Sequence, residues 1–146
     1  MPIIEQAVPP GFEGDNSYIV EAKYDFALQG GAIGTIGLTG GLVIPTGFTV
    51  WDGFIDVVTT VTSGGAATFG IQVEAAGDIV AAGSGFGLLT AGRKNVLPGL
   101  VSASATANTS VVRTTAKRDI SLVIAAAALT AGKFKVVLVC FPALAN

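Results

Sequence analysis

The sequence predicts an all-β protein: an antiparallel β-sandwich or barrel, with a jelly roll among the arrangements it admits, preceded by an extended N-terminal arm. Three observations carry this. Apolar residues recur with period two over most of the chain, the spacing of a strand with one buried face. The alternating stretches are short and are separated by Gly, Ser and Thr clusters, which supply turns. No stretch of 3.6-residue periodicity is long enough to make a convincing amphipathic helix. At 146 residues the chain holds one such domain, residues 18–146, with residues 1–17 as the arm.

In chain order, the arm carries Pro2, Pro9, Pro10, Gly11 and Gly14, with Ile3, Ile4, Val8 and Phe12 interspersed. Prolines fix φ and remove backbone donors, so this segment suits an extended span and not a strand of the body. Its apolar residues need a partner surface, and the arm is expected to cross to a neighbouring chain. Pro2, Ile3, Ile4, Val8, Pro9 and Phe12 are therefore candidate assembly contacts. The run 18–28 follows, with apolar side chains at even positions and Glu21, Lys23 and Asp25 on the opposite face. Further strands are expected at 33–38, 48–61, 66–76, 78–82, 110–115, 118–127 and 133–141. Thr62-Ser63-Gly64-Gly65 would close one hairpin and Leu129-Thr130-Ala131-Gly132 another. The alanines at 125–128 favour a helical turn by propensity, but they lie between β-branched runs and read as strand. Trp51 and the phenylalanines fall within alternating apolar runs and read as core. The segment 83–108, rich in Gly, Ser, Ala and Thr, is long for a loop in a compact domain, so it is expected to be functional or to hide short strands. It carries Arg93 and Lys94, which complete the candidate assembly contacts.

Composition argues against catalysis and for assembly. Charged residues make up 12% of the chain, about half the usual share of roughly 25%. Mean hydropathy is +0.69, and such a surface is expected to be buried in a multi-chain contact. The net charge of −2 conceals a division. Residues 1–80 carry nine acids and one base, and residues 81–146 carry seven bases and one acid, so the halves stand at −8 and +6. These charges either cancel inside one folded unit or help neighbouring copies dock in register.

A membrane span is not expected. The uncharged stretch 26–51 contains seven glycines and Pro45, and the apolar run 120–132 is short and leads into Lys133 and Lys135. No basic segment precedes an apolar one at the N-terminus, so the chain reads as unsecreted. The single Cys140 cannot form an internal disulfide and reads as a small buried apolar residue in the last strand.

With no histidine and one cysteine, a Ser-His-Asp triad, a Cys-His pair and every His-containing zinc site are excluded. Gly83-Ser84-Gly85-Phe86-Gly87 fails the G-x-G-x-x-G pattern because Leu88 occupies its last position. Asp52 and Asp56 share a strand face but would stand about 13 Å apart, beyond the roughly 5–9.5 Å of glycosidase carboxylates. One register would bring Asp52 to Glu74 across a hairpin. Asn108-Thr109-Ser110 matches a glycosylation triplet without a secretory context. The bases Arg93, Lys94, Arg113, Lys117, Arg118, Lys133 and Lys135 lack interleaved exposed aromatics, and a pI near 4.9 opposes nucleic-acid binding. No catalytic, metal-ligating or cofactor-binding residue is assigned.

Certain motifs resemble small structural proteins of tailed bacteriophages. They are Tyr24-Asp25-Phe26-Ala27, the glycine-rich stretch 30–38, Ile44-Pro45-Thr46-Gly47, Thr62-Ser63-Gly64-Gly65-Ala66-Ala67, Gly92-Arg93-Lys94, Thr114-Thr115-Ala116-Lys117-Arg118-Asp119 and Leu129-Thr130-Ala131-Gly132-Lys133-Phe134. The resemblance spans residues 18–140. It implies a virion component made in the bacterial cytoplasm, specifically a capsid decoration or cement protein on the capsid exterior. Such a protein is a homotrimer that bridges major capsid protein subunits, without cofactor, nucleic acid or membrane. A tail-tube or fibre-associated subunit is the second reading. A glycan- or receptor-binding module is the third, with Phe86 as its sole aromatic candidate.

Overall fold

The computed structural model describes residues 17–38, 40, 43–82, 89–95 and 112–142. The expected arm, apart from Ser17, lies outside them. The described residues build seven strands and one short helix: β1 Tyr18–Asp25, α1 Phe26–Gln29, β2 Gly34–Gly37, β3 Phe48–Ser63, β4 Thr68–Gln72, β5 Gly92–Asn95, β6 Ser121–Ala125 and β7 Leu129–Pro142. They form two antiparallel sheets, ordered β1-β7-β3-β5 and β2-β6-β4. This is the all-β sandwich that the alternation predicts.

The core lies between the sheets. Val20, Ala22 and Tyr24 of β1 stand opposite Leu138, Val136 and Phe134 of β7, and all six are buried. Val50, Ile55, Val57 and Val61 of β3 join them, as do Phe69 and Ile71 of β4 and Leu122 and Ile124 of β6. The Tyr24 and Phe134 rings are 5.1 Å apart, and the Tyr24 hydroxyl donates to Gly30 O at 2.8 Å. Burial therefore does not strand the phenol. Cys140 is fully buried, as its place in the last strand predicts.

The sandwich corrects several expectations of local structure. The first strand stops at Asp25, and 26–29 is one helical turn. Asp25 Oδ1 accepts from Ala27 N, while Gln29 Oε1 accepts from Asp25 N, both at 3.0 Å. These reciprocal caps satisfy donors that the ladder would otherwise hold. Neither expected hairpin exists. β3 and β4 belong to different sheets, as do β6 and β7, so 64–67 and 126–128 cross between sheets, and residues 129–132 belong to β7 itself. The alanines 126–128 are not strand: Ala126 has φ +66°, and Ala127 N donates to Ala125 O at 2.8 Å.

Residues 73–79 leave the ladder because the Asp78 carboxylate accepts from Val73 N, Glu74 N and Ala75 N, each at 2.8 Å. Of the expected strand 78–82, one bridge from Val80 to Ile71 remains. Segment 112–118 likewise pairs with 44–50 through isolated bridges, Ile44 to Arg118 and Thr49 to Arg113. Thr114, the one buried polar side chain among the described residues, holds this crossing. Its Oγ1 donates to Pro45 O at 2.6 Å and accepts from Phe48 N at 3.0 Å. Within the expected loop 83–108, residues 92–95 form β5 against β3.

Candidate assembly surface

The outer face of the β1-β7-β3-β5 sheet carries the features that could act on a partner. Its shape comes from irregularities in β3. Val50 pairs with Cys140 and Asp52 with Val139, so Trp51 is an extra residue in the ladder. Val57 pairs with Phe134 and Thr59 with Lys133, which makes Val58 a second one. Each β-bulge resets the alternation. Val50, Gly53, Ile55 and Val57 thereby all reach the buried side, although perfect period two would place Val50 and Ile55 on opposite faces. The same resets turn Trp51 and Val58 outward, 64% and 69% exposed. Trp51 is thus not core, contrary to the reading of its run as simple alternation. Phe69 and Phe134 are buried, while Phe26, Phe48, Phe54 and Phe141 are half-buried.

Trp51 packs edge-on against Phe141, with ring centroids 6.3 Å apart. Val139 and Ile19 sit opposite each other one row along, and Ile19 is 57% exposed. Together these form an apolar patch at the end of the sheet where the chain enters β1. Beyond it lie rows of charge. Asp56 sits opposite both Lys135 and Arg93. Arg93 Nη2 reaches Asp56 Oδ2 at 3.5 Å, and its guanidinium lies 4.7 Å from the Phe54 ring centroid, a cation–π arrangement. Lys135 pairs with Glu21 at 3.3 Å and Lys133 with Asp25 at 2.9 Å. Lys133 as hydrogen-bond partner, then the Ala27 amide, hold the Asp25 carboxyl below its usual range.

Outside this sheet Arg118 makes two bonds to Glu74, Nε to Oε2 at 2.7 Å and Nη2 to Oε1 at 2.9 Å. Thr115 donates to the same carboxylate. The Arg118 bonds, followed by that of Thr115, bring the Glu74 carboxyl down to about 2.

Each of these four ion pairs joins an acid from residues 1–80 to a base from residues 81–146. The topology explains the three on this sheet. β7 lies between β1 and β3, and β5 flanks β3, so the basic C-terminal half is threaded among the acidic N-terminal strands. Much of the charge division read from the sequence is thus cancelled within the fold.

The predicted site residues separate. Arg93 and Lys94 both lie on β5, but only Arg93 joins the outer-face charges. Lys94 Nζ turns back to the carbonyls of Thr90 and Ala91. Pro2, Ile3, Ile4, Val8, Pro9 and Phe12 lie outside the described residues, as do Phe86 and the 108–110 triplet. Asp52 does not meet Glu74, because β3 and β4 sit in different sheets. Its Oδ1 accepts from Gly53 N at 2.7 Å.

A cleft of about 400 Å³ beside α1 is lined by Leu28, Val58, Phe134, Lys23, Lys133 and Lys135, among others. Two of its three lysines are the ion-pair partners of Asp25 and Glu21. Burial pushes the Cys140 thiol up to about 11, far from a reactive thiolate. No group of three metal-ligating side chains occurs among the described residues, and none of their helices is long and apolar enough to cross a membrane.

Comparison with solved structures finds this architecture in bacteriophage capsids. A chain of the cyanophage Pam1 capsid asymmetric unit aligns with a TM-score of 0.56 at 12% identity, over 87% of this chain and 85% of that one. A chain of the acid-stable capsid of Helicobacter pylori bacteriophage KHP30 aligns with a TM-score of 0.51 at 13% identity, over 86% of each. What is shared is the fold. No family model and no curated protein sequence matches the chain.

Proposed function

We propose that this chain is a structural protein of a bacteriophage virion, a decoration or cement subunit on the outside of the capsid. It would form a homotrimer and bridge major capsid protein subunits of the expanded shell. The observation that carries this reading is the alignment over more than four-fifths of both chains to proteins within two phage capsids. The chemistry of the described surface supports it, with an apolar patch beside rows of paired charge. On this reading the protein works mechanically. Each bridge adds interface that must be broken before internal pressure separates capsid subunits, and Arg93 and the arm residues contribute to it.

The test is cosedimentation of the purified protein with expanded shells of the same virus that lack it. Saturable binding supports the proposal, and a charge reversal at Arg93 should weaken it. A folded, soluble protein that leaves the shells bare overturns it. Filaments or stacked rings formed by the protein alone would point to a tail tube instead.

A further inference from the structure

The apolar patch lies at the end of the sheet where the described chain begins. Chain 1–16 joins the body through Ser17 at the start of β1, an edge strand, directly beside Ile19. Trp51 and Phe141 lie two and one strands away. We propose that residues 1–16 of one copy lie across the Ile19–Phe141–Trp51 patch of a neighbouring copy, so that every copy gives one arm and receives one. This rests on the oligomeric reading above and names the surface that would hold the oligomer together.

Length and position favour a neighbour over the same chain. Two strand spacings amount to about 10 Å, whereas sixteen extended residues span about 50 Å. A folded domain of this size has a radius of gyration of about 15 Å. Extended outward along the axis of β1, residues 1–16 would pass beyond their own body. Ile3 and Ile4, fourteen or more residues before Tyr18, would then arrive on another molecule. Pro9 and Pro10 favour an extended path and lack two ladder donors. Such a segment crosses a sheet by side-chain contact, which is what a face bearing Trp51, Phe141 and Ile19 offers. The arm holds Glu5, Glu13 and Asp15 and no base. Lys135 and Arg93 stand in the adjoining rows, already paired with Glu21 and Asp56, so charge would set register more than affinity. Arm and patch are different surfaces, so their contact is head-to-tail and can close into a ring of identical copies.

The experiment is an engineered cross-link on the full chain, Glu5→Cys with Asp52→Cys, which leaves every apolar residue in place. Buried Cys140 does not compete. Mild oxidation should give a ladder of disulfide-linked dimers and trimers. A closed monomer would overturn the proposal, as would a trimer that forms no link.

Trp51 is the sole tryptophan, so its emission reports on the patch directly. Deleting residues 1–12 should shift that emission to the red, raise acrylamide quenching about twofold and loosen the trimer at least tenfold in sedimentation equilibrium. Unchanged emission and unchanged mass count against the proposal. Trp51→Ala should likewise loosen the trimer while preserving the circular dichroism spectrum, because the side chain is largely outside the core. Shell binding separates the two readings. Inter-chain links in a protein that ignores shells uphold the arm contact and remove the capsid role, whereas intra-chain links in a protein that binds shells do the reverse.

Discussion

Gly132 and Gly34 provide a matched pair that separates crowding from backbone strain. Both adopt φ +137°, a conformation that L side chains rarely enter. At Gly34 a Cβ would meet nothing within 4 Å. At Gly132 it would lie 2.6 Å from Val61 Cγ2 and 2.8 Å from Val61 Cα. The cause is the register shift between Thr59 and Thr62, which sets two residues of β3 against one of β7 and presses Val61 onto the glycine.

Alanine at either site incurs backbone strain of about 1–3 kcal/mol, and the entropy it removes from the unfolded chain is the same at both. Gly132→Ala adds overpacking of about 1–3 kcal/mol, because the Val61 backbone cannot rotate away. At about 3 °C per kcal/mol for a chain of this length, Gly132→Ala should melt about 3–9 °C below Gly34→Ala. The assay is thermal unfolding followed by circular dichroism at one protein concentration, since association shifts Tm. Equal melting temperatures would refute the argument that the bulge makes glycine obligatory at 132.

Three further outcomes are expected. Thr114→Val should cost about 1–3 kcal/mol in urea unfolding, because it leaves Phe48 N and Pro45 O without their side-chain partner; a change within error would mean that the crossing of 112–118 over 44–50 does not depend on that hydroxyl. The Glu74 carboxyl falls from 4.5 to about 2 on folding, so its contribution is fully present above about pH 4.5 and is lost as pH falls through about 2. The Tm difference between wild type and Glu74→Gln should therefore shrink over that window, and a constant difference would contradict the Arg118 pairing. Cys140, buried and with its thiol raised to about 11, should resist alkylation at pH 8 until the protein unfolds; rapid labelling of the native protein would show that β7 is open to solvent.

Local sequence carried the class of fold and the interior wherever alternation runs unbroken. Alternation in β1 sets Val20, Ala22 and Tyr24 inward whatever they face, because side chains of a strand point to opposite sides in turn. The absence of histidine and the lone cysteine bounded the chemistry in the same local way. Tertiary structure decided what depends on partners distant in sequence. Local glycine and serine chemistry marked 62–65 as a chain reversal, but whether it joined two strands of one sheet or crossed between sheets depended on where β7 inserted. The helical turn after Asp25 carried a signal, an aspartate followed by Phe-Ala-Leu-Gln, that continued alternation concealed.

The surface was least legible. Val50 and Ile55 lie an odd number of residues apart, so both can face the core only if β3 holds an extra residue. That mismatch was visible in the sequence only to a reader who already knew both were buried. A bulge is fixed by the register of two strands, here β3 against a β7 some ninety residues later, and local sequence does not set that register. The interleaving of β1, β7, β3 and β5 also decided that Glu21, Asp25 and Asp56 would pair with bases of the other half, because Coulomb attraction acts on separation in space and composition contains none. The same register places Trp51 in solvent.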